Sequence, residues 1–101
     1  MKIPRIKLKK GKDWEGFIKD NELDFWDMTF DAVQMLSDNP DLENYTAFIL
    51  HGGKLDKDKE FVIERDNIEY TIKNGLEKME KLEEYERCAR ILEISKKFTT
   101  K

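Results

Sequence analysis

With 101 residues, 39% of them apolar and 11% aromatic, the chain is long enough to bury a modest core and too rich in aromatics for a disordered tail, although 41% of it is charged. Its single cysteine excludes an internal disulfide framework and a cysteine-based zinc site, and the formal net charge of −3 leaves it mildly acidic. No apolar run is long enough to span a bilayer, and the basic N-terminus lacks the hydrophobic region of a signal peptide, which together point to a cytoplasmic protein that does not enter membranes.

From Ile3 to Lys9 the chain alternates, with Pro4, Ile6 and Leu8 on one side and Arg5, Lys7 and Lys9 on the other, the period of a half-buried strand. Pro4 cannot donate to a ladder and assigns this strand to an edge, or itself to the strand's start. Lys10-Gly11-Lys12 turns the chain, and Asp13 caps a short helix through Trp14, Phe17 and Ile18 that Gly16 weakens. Asp24 then caps a longer helix, with Asp27 completing an acidic first turn. That helix carries Phe25, Trp26, Met28, Phe30, Ala32, Val33, Met35 and Leu36 around most of its circumference, which predicts the central, most buried helix. Ser37-Asp38-Asn39-Pro40 ends it, because the residue before proline avoids the helical region.

Tyr45 to Leu50 and Phe61-Val62-Ile63 are β-prone runs. His51-Gly52-Gly53 and a charged loop lie between them, predicting a β-hairpin that makes about three strands with the N-terminal one. Asp66, with Glu69 at the reciprocal position, is expected to cap the C-terminal region, which has one glycine and no proline as far as Phe98. Ile68, Ile72, Leu76 and Met79 form a first apolar stripe. Leu82, Tyr85, Cys88, Ala89, Leu92 and Ser95 continue it, and Ile91, Ile94 and Phe98 widen it. The region is either one long helix or, with a break between Lys81 and Glu84, a helical hairpin in which Leu76 and Met79 close onto Tyr85, Ala89 and Leu92. The break is the favoured reading. The expected architecture is a single α+β domain over residues 1–101: an α+β part over 1–65 with a small sheet and a central buried helix, then the helical region over 66–101.

Tyr85-Glu86-Arg87-Cys88-Ala89-Arg90-Ile91, preceded by Leu76 and an acidic bend, resembles the helical-hairpin motif shared by the UvrB and UvrC repair proteins and several bacterial adaptors. The chain departs from that motif at Leu92-Glu93, where the family carries an Arg-Asp pair. The resemblance spans about a quarter of the chain. It implies a docking or dimerising hairpin in which Tyr85, Cys88, Ala89 and Leu92 pack internally, and it does not imply DNA repair. In its lysine-, glutamate- and isoleucine-rich composition the chain also resembles small phage accessory proteins.

Charge is segregated along the chain. Lys2, Arg5, Lys7, Lys9, Lys10 and Lys12 precede any acid, and ten acids face only Lys19 between Asp13 and Asn44. Two accounts stand: steering of partners, or self-complementarity with the basic strand lying on the acidic segment. His51-Gly52-Gly53 is the most site-like local string. The same string is also an ordinary hairpin turn with a solvated imidazole, and one histidine without matched cysteines makes no metal site unless carboxylates surround it. Cys88, on an apolar stripe, reads as a small core hydrophobe in place of a nucleophile.

No catalytic constellation emerges, and neither a metal nor a cofactor is expected. The favoured function is a small non-enzymatic protein-binding or regulatory protein, of the phage accessory or inhibitor kind. The candidate contact residues are Trp14, Asp20, Glu22, Asp24, Asp27, Asp31, Leu76, Met79, Leu82 and Tyr85, and a homodimer is one form of the partnership. The alternative is a nucleic-acid-directed protein. It would either bind directly through Arg5, Lys7 and Lys9 or use its acids to mimic a phosphate track and block a nucleic-acid enzyme.

Overall fold

The computed structural model describes residues 3–99, so that Lys2, counted above in the basic run, lies outside the described residues. The alternating N-terminal segment forms β1 (Arg5–Leu8), with Pro4 just before it accepting a backbone bond from Ile49 N–H at 2.9 Å. Two helices follow, α1 (Trp14–Asp20) and α2 (Glu22–Asp38). The hairpin of β2 (Asn44–Gly52) and β3 (Lys59–Glu64) comes next, then a 3₁₀ turn over Arg65–Asn67, and finally α3 (Ile68–Lys81) and α4 (Tyr85–Thr99). The protein is an α+β fold whose sheet has the order β1-β2-β3, β1 parallel and β3 antiparallel to β2. A parallel pair needs a crossover, and α1 with α2 supplies it.

One face of the sheet packs on α1 and α2, with a register shift between Thr46 and Phe48 that leaves Ala47 and Phe48 both buried. Phe48 stacks on its cross-strand partner Phe61 at 4.5 Å and meets Phe25 of α2 edge-on at 5.9 Å. Leu8, Ala32, Ala47, Phe48 and Leu50 are the buried residues of this cluster. The other side of α2 presents Phe30, Val33 and Leu36 to Ile68, Ile72 and Met79 of α3 and to Ile91 and Ile94 of α4. Because α2 supplies both clusters, its apolar residues occupy most of its circumference, as its composition predicts.

Two caps differ from expectation. Asp13 caps α1 as predicted, accepting from Gly16 N–H at 2.8 Å. Asp24, however, does not cap α2. The helix starts at Glu22 with Asn21 as its N-cap, because α1 runs on to Asp20 and leaves a single corner residue. The Asn21 side chain serves α1 instead, donating to Phe17 O at 2.9 Å, and Asp24 sits in the first turn of α2, where a negative charge suits the helix dipole. Nor does Asp66 cap α3: the helix begins at Ile68 after Asn67. The cause is Arg65, which ties this segment to the end of α2. Its backbone N–H bonds Glu43 O at 2.8 Å, and its guanidinium donates to Leu42 O, Leu36 O and Asn39 O at 2.7, 2.8 and 2.9 Å. The guanidinium thus satisfies carbonyls that the last turn of α2 leaves without helical partners.

The C-terminal region breaks where the hairpin reading puts the break. Glu84 N–H bonds Met79 O at 2.9 Å and Glu83 N–H bonds Glu80 O at 3.1 Å, with Glu83 left-handed at φ 57°. This is a Schellman motif with glutamate where glycine is usual. The first stripe packs as predicted, with Ile68, Ile72 and Met79 buried and Leu76 beside them. The stripe on α4 does not. Ile91 and Ile94 are in the core with Cys88 and Phe98 packed on them, whereas Tyr85 is 67% exposed, Leu92 51% exposed and Ala89 exposed. The internal packing expected of Tyr85, Ala89 and Leu92 is therefore corrected. A left-handed residue does not advance the chain by a helical step, so the face counted through α3 does not continue into α4. Cys88 does pack where the core reading puts it.

Candidate functional site

The candidate residues gather at three places on the surface, besides a ladder of ion pairs along α2. Where the α1–α2 corner meets the α3–α4 turn, Asp20, Glu22, Asp24 and Leu82 line a shallow depression of about 490 Å³, together with Lys19, Leu23 and Glu84. Leu82 thus joins three acids from a distant part of the chain, because the corner at Asn21 and the turn at the left-handed Glu83 come together here. Glu22 holds Lys78 at 2.8 Å, whereas Asp20 and Asp24 have no ion pair among the described residues. Leu82 is 39% exposed, and Tyr85 is the first residue of α4 after the turn. The result is a negative, open surface with an apolar side chain on it.

Asp27 and Asp31 go elsewhere. Arg87 bonds Asp27 bidentately, Nε to Oδ1 and Nη2 to Oδ2, both at 2.9 Å, and Glu84 Oε1 at 2.6 Å. Arg90 reaches Asp31 at 2.7 Å and Lys97 reaches Asp38 at 3.9 Å. With Glu22–Lys78, these pairs form a ladder in which α4 runs parallel to α2 while α3 runs antiparallel to it. Hydrogen bonding to Asp27 raises the Arg87 pKa, the partial loss of solvent opposing it, and the guanidinium is charged at any working pH. The ladder is self-complementarity of the kind the charge segregation suggests, but its basic partner is the C-terminal pair of helices in place of the N-terminal strand. Sequence reasoning missed Arg87 and Arg90 as partners of the acidic helix, because the Arg87–Asp27 bond spans 60 residues. Arg65 was missed likewise.

The N-terminal lysines form the second place. Lys7, Lys9 and Lys12 line a cleft of about 380 Å³ along the free edge of β1, with Phe17 and Asp20 on its other side. Arg5 is not part of it and pairs with Asp58 at 2.7 Å, both side chains more than half exposed. Next to this cleft the glycines of His51-Gly52-Gly53 have a packing role. A Cβ at Gly53, whose φ is +56°, would overlap the Lys12 carbonyl oxygen and lie 2.8 Å from Leu8 Cβ. Lys54 N–H bonds Lys12 O at 2.9 Å, so the string is where the hairpin loop clasps the turn after β1. His51 is half-buried opposite Lys7, and among the described residues no three His, Cys, Asp or Glu converge as a metal set.

The remaining candidates are structural or lie apart. Met79 is fully buried and Leu76 partly so, which makes both part of the core in place of a contact surface. Trp14 is partly exposed at the third place, the outer end of β3, packed on Phe61 at 5.7 Å with Lys59 Nζ 4.9 Å above its ring. No helix among the described residues is long and apolar enough to cross a membrane. Comparison with protein-family models, curated proteins and solved structures finds no match for this chain.

Proposed function

We propose that this chain is a small non-enzymatic regulatory protein of the cytoplasm that works by binding another protein. The observation that carries the reading is the depression where Asp20 and Asp24, unpaired among the described residues, stand beside the half-exposed Leu82. Such a surface suits a partner that offers basic side chains around an apolar one, with charge steering the encounter and burial of Leu82 holding it. The outward stripe of Tyr85, Ala89 and Leu92 supports the same role for α4 and would also serve a homodimer, whereas the resemblance of 76–94 to the UvrB/UvrC-type hairpin, which implies that these residues pack internally, supports no more than a paired-helix form. An accessory protein or inhibitor of the phage kind fits this description.

Affinity capture from the source cells tests it, using the wild-type chain against an Asp20→Lys, Asp24→Lys, Leu82→Ser variant whose circular dichroism is unchanged. A protein retained only by the wild type, and binding it again when purified, is expected; equal retention on both would sink the reading. Light scattering at micromolar concentration tests the homomeric form, which requires at least twice 12.1 kDa.

A second reading, direct nucleic-acid binding, is favoured by one observation: Lys7, Lys9 and Lys12 share a cleft. It predicts retention of an oligonucleotide at low salt that weakens steeply as salt rises. Mimicry of a phosphate track draws less support, because Glu22, Asp27, Asp31 and Asp38 are each held by a basic residue of α3 or α4.

A further inference from the structure

The strand β3 is an edge strand: β2 pairs with one side of it and, among the described residues, no strand pairs with the other. In an antiparallel ladder alternate residues of an edge strand turn their N–H and C=O groups outward, which is a template for another extended chain. Beside this edge runs a groove of about 180 Å³, bordered by Phe61, Val62 and Ile63 on one side and by Tyr70 and Asn74 of α3 on the other, with Trp26 also lining it. Three consecutive strand residues along one wall mean that the backbone edge itself borders the groove. Tyr70 is 71% exposed and Val62 41% exposed, so both walls offer apolar surface.

The charges select the occupant. Glu60, Val62 and Glu64 project from the face of β3 turned away from the core, and neither glutamate has an ion pair among the described residues. A second copy fits badly. Paired about a twofold axis, Val62 opposite its own mate sets Glu60 against Glu64 of the other copy, and Phe61 opposite its mate sets Asp58 against that Glu64. Like charges directly opposed destabilise a strand pair. An extended chain with basic residues opposite Glu60 and Glu64, an apolar residue opposite Val62, and apolar side chains alternating into the groove satisfies all three demands.

We propose that the groove between β3 and α3 binds an extended basic–apolar segment of a partner protein as a fourth strand, antiparallel to β3. This is strand addition, in which main-chain bonds hold the segment and alternate side chains select it. The site is separate from the acidic depression, so substitutions at Asp20, Asp24 and Leu82 leave it unchanged.

The test uses a blocked synthetic peptide, Thr-Lys-Ile-Val-Leu-Lys-Thr, titrated into the isotope-labelled full chain. Saturable amide shifts are expected in Phe61–Ile63 and across Tyr70–Asn74, with slowed amide exchange on β3. A peptide with both lysines replaced by glutamate should bind at least about tenfold more weakly, a difference of about 1.4 kcal/mol. A Glu60→Lys, Glu64→Lys variant should reverse that preference, and both changes are at exposed positions that leave the core intact. A peptide N-methylated on alternate residues should not bind. The proposal is overturned by any of four results: no saturable shift at millimolar peptide, shifts confined elsewhere, equal binding of the methylated peptide, or charge reversal without effect. A wild-type dimer in sedimentation that Val62→Lys dissociates would also overturn it, by making a second copy the occupant.

Discussion

Glycine at position 75, in the interior of α3, is ordinarily a weak point. Replacing such a residue by alanine raises helix propensity by about 1 kcal/mol. Here the expected sign is opposite. A Cβ on Gly75 would lie 2.5 and 2.6 Å from Cε2 and Cζ of Phe30, and 3.4 Å from Trp26. Phe30 is 2% exposed, its ring stacks on Trp26 at 6.0 Å, and Val33, Leu36 and Met79 belong to the same cluster, so the ring has nowhere to retreat. Overpacking a closed core costs about 1–3 kcal/mol, and contact with an aromatic ring that cannot turn away belongs at the upper end. Set against the propensity gain, Gly75→Ala should destabilise by about 2 kcal/mol. For a chain of this length that lowers the melting temperature by about 8 °C. Thermal and urea unfolding followed by circular dichroism measure it. Phe30→Leu removes the ring, and in that background Gly75→Ala should become neutral or stabilising. A Gly75→Ala protein that melts above the wild type would refute the close packing of α3 on α2.

Arg65→Ala should cost about 2 kcal/mol in urea unfolding, since one guanidinium serves three carbonyls around the end of α2. Arg65→Lys should restore less than half of that, because an ammonium lacks the planar fork; full rescue by lysine would show that charge alone suffices. Glu83→Gly relieves a left-handed glutamate and should raise the melting temperature by a few degrees, the release of about 1–2 kcal/mol being partly offset by the freer unfolded chain. A lower melting temperature would contradict the Schellman turn. A double-mutant cycle on Asp27→Asn and Arg87→Met should return a coupling of up to about 1 kcal/mol at low salt that shrinks at high salt, both side chains being about a third exposed or more. Coupling that salt leaves unchanged would mean the pair is shielded from solvent.

The elements were legible wherever the signal was local. The alternation around Ile6 and Leu8, the β-prone runs on either side of Gly52 and Gly53, and the stripe of Ile68, Ile72, Leu76 and Met79 each follow from a period of two or 3.6 residues and from short breakers. The caps of α2 and α3 were misplaced because a side chain elsewhere, or a neighbouring helix, decided where the backbone could begin to turn. Of the candidate site, Asp20, Glu22, Asp24 and Leu82 were singled out as separate residues, and only the fold assembles them into one depression.

Composition and periodicity were enough for an α+β chain with one helix buried on nearly all sides and a helical C-terminus, because burial patterns are written residue by residue. Whether that C-terminus is one long helix or a pair they left open, and the left-handed turn at Glu83 decides it. Which face of α4 turns inward was decided only in three dimensions. One left-handed residue, Glu83, resets the helical phase, so Ile91 and Ile94 go to the core and Tyr85 and Leu92 to solvent. The same holds for the acids of α2. Their number is plain in the sequence, but whether each stays free for a partner or is held by Lys78, Arg87, Arg90 or Lys97 depends on parallel and antiparallel helix packing. Charges separated by dozens of residues carry no local signature of the contact they will make.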